Sequence, residues 1–412
     1  MSAEYIYLAA ANSTDEAKKA SDFVCTGKHD EQTIQTAIDA CIRDNKNLYF
    51  FNGIYSIEGF YHFEDGGPDA AVRFPGAHRE ITVMGQNHEY GCQRRYDNGV
   101  VWYVSAEALG SAPEASVDVL RSSWTQKGVQ NGSSLHIENL VIMLAHNQRA
   151  VRCVDLRRTD RVEVKNMTLI SYGDSIAPDS LVGLNVPAEV PGKGCIGLTM
   201  TDGSNYEYSN YINVQAIGFD EGIQVGGEHV VCINCGGSMG NYGFTFGNYE
   251  CNCGLNHPVT LINCLDERNV NLPYFGRWCG DGDGKGGRLI GNQEVTMISF
   301  NVEHTAAQTP GGLLGDLMRE EVPGTWKGNI SFTAQPSWWA INEVNFKLWE
   351  SDGSGSGFIT RNNTHKTVCS TAERLSYYPQ LGQQIFDTDL QKMVVCIDPD
   401  QKTWVDFMGN RV

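Results

Sequence analysis

Apolar and polar positions change their spacing twice along this chain. Ile34, Ala37, Ile38, Cys41 and Ile42 recur at intervals of three and four, which predicts an amphipathic helix over 30–42 with Asp30 as its cap. The run Asn47-Leu48-Tyr49-Phe50-Phe51 then reads as a strand, Asn52-Gly53 as a turn, and Ile54-Tyr55-Ser56-Ile57 as the next strand. From about residue 135 the chain repeats itself. Ile137-Glu138-Asn139-Leu140, Val164-Lys165-Asn166-Met167, Tyr211-Ile212-Asn213-Val214, Cys232-Ile233-Asn234-Cys235 and Leu261-Ile262-Asn263-Cys264 each set one asparagine among apolar residues. Those asparagines are 27, 47, 21 and 29 residues apart.

Between them a small residue opens an alternating strand, as in Ala150-Val151-Arg152-Cys153-Val154, Gly197-Leu198-Thr199-Met200, Gly222-Ile223-Gln224-Val225 and Gly243-Phe244-Thr245-Phe246. The long second interval contains the Gly-, Pro- and Asp-bearing stretch 173–194, which reads as a loop inserted into one repeat. Short strands with Gly/Asn turns and no helix between them cannot bury an apolar face alone, so each repeat must stack on its neighbours. Stacking at about 4.8 Å per coil brings equivalent asparagines together as a ladder inside a turn, each carboxamide bonding the next. After Glu303 the repeat fades: 305–325 reads as a loop, Trp326 to Glu350 resumes alternation, and Gly353-Ser354-Gly355-Ser356-Gly357 as a turn or linker. The expected fold is all-β, a right-handed single-stranded parallel β-helix with a short N-terminal capping helix and a small C-terminal β tail. Its parts are 1–60 with the helix and first strands, 61–350 as the β-helix with its insertion, and 351–412 as a hairpin-like tail.

A net charge of −18 with no long Lys/Arg run disfavours nucleic acid, whose phosphates need a basic footprint. It also favours a neutral glycan, or an acidic one bridged by a cation, over a bare polyanion. The N-terminus lacks a basic region and its apolar stretch is short, so neither a signal peptide nor a membrane span is expected, and synthesis is placed in the cytoplasm. Thirteen cysteines, mostly single within apolar strands, read as reduced core thiols. Cys232 and Cys235 with Cys251 and Cys253 are the one zinc-like grouping. The first pair occupies places where other repeats carry Tyr211 and Val214, and a C-x-C pair is too short, so no metal is expected there.

Ser21 to Glu31, Ile34-Gln35-Thr36-Ala37-Ile38 and Leu48 to Tyr55 resemble the opening segment of the pectate-lyase-like β-helix superfamily, as in phage tailspikes and related bacterial proteins. Phe51 stands where that family's Pro-x-Gly-x-Tyr element has proline. Ser370 to Arg374, Gly382 to Thr388, Lys392 and Trp404-Val405-Asp406 resemble a short element of phage structural proteins, read as two or three strands in a hairpin. The resemblance implies a helix plugging the end of the solenoid, a glycan partner, a virion-tail location and a homotrimer.

Chemistry is expected on one acidic edge. Alignment on the small residue puts Asp155 and Asp202 on neighbouring coils, with Glu228 beside the next equivalent place and Asp220 and Glu221 at the strand mouth. Stacked carboxylates are costly unless one is protonated, a cation intervenes or water screens them, although any of these acids can equally sit on a solvated turn. Glycoside hydrolysis uses such a pair about 5 to 9.5 Å apart, with Asp202 and Glu228 leading and Asp155, Asp220 and Glu221 behind them. A polysaccharide lyase would instead need a base and a cation for the uronate, from Arg152, Lys193, Arg277 or Ca²⁺. Asp281-Gly282-Asp283-Gly284 opens like a calcium loop but lacks its distal Glu, so no cofactor is expected outside the lyase case. Tyr242 and Trp278 offer faces for sugar rings. The third reading is a spike that binds glycan without cleaving it.

Overall fold

The computed structural model describes residues 5–76, 80–88, 99–111, 116–124, 134–146, 151–171, 194–200, 208–226, 229–246, 259–267, 269, 274–275, 295–303, 319–320, 330–332, 368–376, 382–399 and 401–412. It is a mostly β chain built on two long parallel sheets, one of 15 and one of 8 described strands, an arrangement consistent with a parallel β-helix. In the long sheet Ser134–Leu144 pairs in parallel with Arg161–Ile170, which pairs with Ser209–Ile217, which pairs with Val230–Ile233 and Gly236–Ser238. In the short sheet the order runs through Asp69–Phe74, Val117–Ser122, Val151–Asp155, Ile196–Thr199, Glu221–Val225 and Tyr242–Phe246. Strands distant along the chain are thus vertical neighbours, and Leu8, Trp102, Ile137, Val164, Tyr211, Cys232 and Leu261 join one continuous apolar core.

The opening helix is longer than its apolar stripe indicates, Asp30–Asp44, and Asp30 does not cap it. His29 holds the cap position in the left-handed region, while the buried Asp30 carboxylate accepts from the backbone N–H groups of Thr26, Gly27 and Ser56 at 2.9 to 3.0 Å. Those three bonds tie the loop before the helix to the strand Gly53–Ile57, which explains an acid at the site better than capping does. Tyr55, fully buried, donates its hydroxyl to Leu8 O and Phe51 O and locks the same strand against the first one.

All five repeat asparagines have positive φ: Asn139 61°, Asn166 51°, Asn213 55°, Asn234 54° and Asn263 52°. Asparagine tolerates this conformation better than other side chains bearing a Cβ, so it marks a corner at which each strand changes direction. Each of the last four donates Nδ2 to the Oδ1 of the asparagine one coil earlier, at 3.0 Å for Asn166, 2.9 Å for Asn213, 3.2 Å for Asn234 and 2.8 Å for Asn263. The first, Asn139, donates to Gly85 O, and a Cβ at Gly85 would sit 2.0 Å from Asn139 O, so the ladder has to begin on glycine. The carboxamides are half-buried to exposed, so the ladder lines the outside of the corner rather than its interior.

Three short helices fall where no helix was expected: Asp15–Ala20, Ala106–Ser111 and Thr371–Ser376. The C-terminal residues form a sheet of Val368–Cys369, Gln384–Asp387, Lys392–Asp398 and Thr403–Asp406, mostly antiparallel, over its own core of Cys369, Ile385, Val394, Cys396 and Trp404. There Arg374 is buried, donating to Asp387 at 2.8 Å and lying over the Trp404 ring. The Gly/Ser run 353–357 and the loop at 305–318 lie outside the described residues.

Candidate functional site

The short sheet carries its polar side chains on the face away from the core, and they are continuous from coil to coil. On Val117–Ser122 both Val119 and Leu120 join the core, as Cys153 and Val154 do on the next coil, so alternation slips there and residues three apart share the outer side. Asp118 and Arg121 therefore face out together, as do Arg152 and Asp155. The register sets Asp118 against Arg152 and Arg121 against Asp155, a crossed quartet of opposite charges. Arg152 Nη1 lies 2.8 Å from Asp155 and 3.8 Å from Asp118.

Around this quartet Arg121 grips Asp65 with two nitrogens at 2.8 Å, and Arg157 grips Asp155 at 2.6 and 2.9 Å. Arg73 and Arg121 lie over the Phe63 ring, and Arg157 and Arg158 over Trp124. The centre is closed to solvent, with Asp118, Arg121 and Asp155 at 0% exposure, while Phe63, Arg73 and Trp124 at the rim are half-buried.

The two central carboxyls are driven apart. Burial raises Asp118, the neighbouring Asp155 charge raises it further, and the arginines only partly compensate, leaving it at about 7. Asp155 is buried too, but the bound Arg157 and Arg152 guanidiniums outweigh that cost and hold it well below the usual carboxylate range. Asp65 follows the same logic, burial opposed and overcome by Arg121, and falls to about 2. Among the described residues neither oxygen of Asp118 has a hydrogen-bond partner, a rare state for a buried carboxyl and one associated with functional sites.

The polar row continues upward as amides and hydroxyls. Thr199 donates to Gln224 at 2.6 Å, and Gln224 and Thr245 both donate to Glu221 at 2.9 Å. Glu221 pairs in register with Tyr242. Asp220, half-buried just before it, accepts from Gly194 N at 2.6 Å and from Asn241 at 2.5 Å.

Of the residues the sequence put forward, Asp155, Arg152, Glu221 and Tyr242 share this sheet, and Asp220 adjoins it. Asp202, Glu228, Lys193, Arg277 and Trp278 lie outside the described residues; the first two follow the ends of short-sheet strands by about three residues in the sequence. The expected stacking of Asp155 on Asp202 does not follow the observed register, which sets Asp155 against Thr199. Gly197, Gly222 and Gly243 do align, because a Cβ at Gly197 would meet Gly222 O at 2.4 Å and one at Gly222 would meet Gly243 O at 2.8 Å. In the observed register Cys153 lies at the level of Gly197, so counting from Ala150 displaced Asp155 by three residues. Arg152 is a buried ion-pair partner of Asp155 instead of a surface charge, and Tyr211 is core. Cys232 is a buried strand residue, Cys235 and Cys264 are buried between strands just after the corner asparagines, and Cys251 and Cys253 fall outside the described residues.

Asp118, Arg121, Asp65 and Arg157 were not expected in the site. Their signal in the sequence was the inverted pair Asp118-x-x-Arg121 and Arg152-x-x-Asp155, charges three apart inside apolar runs on successive strands.

A concavity follows the asparagine corner, a groove of about 860 Å³ lined by the five ladder carboxamides and Gln215, with Gln86, Asn87 and His88 at one end. Burial lowers His88 to about 4, so it is neutral at pH 7, and its Nε2 lies 3.0 Å from Thr168 Oγ1.

No family model matches the chain, and no curated protein matches it. Among solved structures it is similar to Escherichia coli ybhc at 13% identity, over 81% of this chain and 86% of that one, with a TM-score of 0.40. It is also similar to tailspike protein 3 of bacteriophage CBA120 at 10% identity, over 100% of this chain and 70% of that one, with a TM-score of 0.30. At those scores both stand only as similarities, and the parallel architecture rests on the strand registers. Among the described residues no helix is long and apolar enough to cross a membrane.

Proposed function

We propose that the two parallel sheets are the walls of a right-handed β-helix and that the protein binds and hydrolyses a polysaccharide along the outer face of the short sheet. The observation that carries this reading is Asp118: a buried carboxyl with neither oxygen bonded among the described residues, raised to about 7, beside an Asp155 held ionised. Two acids pushed apart by their surroundings are the arrangement that supplies a proton donor and a permanent anion at the same pH. Asp118, at 0% exposure under the rim of Phe63, Arg73 and Trp124, acts as the acid for the leaving oxygen where substrate displaces that rim. Asp155, saturated by arginines, fixes Arg152 and keeps Asp118 protonated, so it is a positioning residue. For the second carboxylate the sequence offers Asp202 and Glu228, which lie outside the described residues.

A lyase reading has one observation in its favour. Arg73, Arg121, Arg152, Arg157 and Arg158 gather on this one face of an acidic chain, and guanidinium forks suit a uronate carboxylate.

Incubation with neutral and acidic bacterial and plant polysaccharides separates the readings. New reducing ends without ultraviolet absorbance from unsaturated products are the expected result, at least 100-fold weaker in Asp118→Asn, about the lower end of what a general acid contributes. Unsaturated products would replace hydrolysis with elimination, and retention of polymer without any products would leave a binding spike.

A further inference from the structure

The groove along the asparagine corner has a chemistry unlike that of the short-sheet face. None of its described lining residues lies on the short sheet, and none is Asp, Glu, Lys or Arg. His88 at its end is neutral, and Glu138 and Lys165, which precede the first two rungs, are paired with His136 and Glu163. What lines the groove is a row of carboxamides. Each interior rung, Asn166, Asn213 and Asn234, gives one N–H to the rung before it and accepts one from the rung after it. A carboxamide has two N–H groups and two acceptor sites, so each rung keeps one of each with no partner among the described residues.

One end of this row runs into aromatic rings. Gln86, at that end, accepts the N–H of Asn52 at 3.1 Å, and Asn52 follows Phe51. The Phe51 ring stacks on Tyr7 at 6.0 Å and meets Tyr49 edge-on at 5.4 Å, and Tyr5 lies 6.3 Å from Tyr7 and 6.1 Å from Tyr49. Strand pairing sets Tyr7 against Tyr49, and the alternate residues Ile6, Leu8, Leu48 and Phe50 go to the core, so these rings face out. Tyr7 is 37% exposed and the other three are half-buried.

We propose that this corner is a glycan-binding site separate from the short-sheet face, where an uncharged polysaccharide lies along the carboxamides with a sugar ring stacked on Tyr7. A sugar hydroxyl donates one hydrogen bond and accepts others, which is what each rung has left to offer. The C–H face of a pyranose suits an exposed aromatic ring. A lining without cations, on a chain of net charge −18, rejects nucleic acid and polyanionic glycans. An extended peptide fails on spacing: one edge of it presents its groups every second residue, about 6.6 Å apart, against rungs about 4.8 Å apart. A pyranose unit advances by close to one rung and stays in step. The groove holds polymer away from Asp118, so it anchors without cleaving.

The test is calorimetric titration of the full chain with hexasaccharides of neutral β-glucan, α-glucan, mannan and galactan, with hexagalacturonate as the charged control. Wild type is compared with Tyr7→Ala, Tyr7→Phe and Asn87→Ala, each also in the Asp118→Asn background to suppress cleavage, and circular dichroism establishes folding. Both substituted side chains are exposed, and Asn87 lines the groove outside the ladder. At least one neutral hexasaccharide is expected to bind, about 10-fold more weakly to Tyr7→Ala, the order of one aromatic contact. Asn87→Ala is expected to weaken it about 5-fold, the order of one hydrogen bond, while Tyr7→Phe, which keeps the ring, stays near wild type. Absence of binding by every neutral hexasaccharide at millimolar concentration overturns the proposal, as does a preference for hexagalacturonate or wild-type affinity in folded Tyr7→Ala. The hydrolysis proposed above fails separately: affinity lost in Tyr7→Ala by a protein that yields no products would sink hydrolysis and leave this site standing.

Discussion

Asn166→Ala is expected to lower the stability of the protein by about 3 kcal/mol and Asn166→Gly by about 2 kcal/mol, read from urea denaturation midpoints. Asn166 sits mid-ladder, giving one bond to Asn139 at 3.0 Å and accepting one from Asn213 at 2.9 Å. Both variants lose the two bonds, at about 1 kcal/mol each. Only alanine must also hold a Cβ at the φ of 51°, which costs about 1 kcal/mol more than glycine does there. Equal losses would mean that the corner relaxes away from the left-handed region. Losses below about 0.5 kcal/mol in both would mean that the ladder carries no stability, since surface changes are of that size.

Between pH 5 and pH 8 wild type is expected to lose more stability than Asp118→Asn does. Asp118 has its folded pKa raised to about 7 from an ordinary 3.8, so in the window between the two the native state holds the proton that the unfolded chain releases. Native protein then binds more protons than unfolded protein, and stability falls as pH rises, by up to about 1.4 kcal/mol per unit, until the native carboxyl also ionises near 7. Asp155 and Asp65 act in the opposite sense, because their folded values are depressed: their contribution is full above the unfolded carboxylate range and is lost as pH falls through their folded values in strong acid. Burial also raises Asp30, which adds to the slope of both proteins and cancels in their difference. At pH 8 the asparagine variant is therefore the more stable by an amount of order a few kcal/mol, and near pH 4 the two converge. A wild-type curve parallel to that of Asp118→Asn across this range would show Asp118 ionising as an ordinary carboxyl, and the proton donor of the proposed hydrolysis would be lost with it.

Both predictions trace to residues whose visibility in the sequence differed. The ladder asparagines stood out because a polar residue recurred at one place in an apolar window, and recurrence at a fixed place survives variable coil length. Asp118 did not stand out, because Val117 to Ser122 reads as an alternating strand in which one face is solvated. Two inward residues in succession, Val119 and Leu120, broke that alternation and set Asp118 and Arg121 side by side. The same slip at Cys153 and Val154 displaced Asp155 from its expected neighbour. The glycines at 197, 222 and 243 were aligned correctly because they answer to a backbone contact, whereas Ala150 had only its small size in common with them.

The sequence alone determined that this chain would build long parallel sheets from short strands, where the asparagine corner would fall, and that a helix would precede the first coils. These follow from local spacing, since apolar period and turn chemistry act within a few residues. Tertiary structure alone decided which charges meet across coils, that Asp155 is bound by arginine on one side and lies near an unbonded carboxyl on the other, and that four aromatic rings meet at the end of the asparagine corner. Such pairings depend on register between strands tens of residues apart, and a slip of one residue turns a side chain to the opposite face, so no local pattern specifies them.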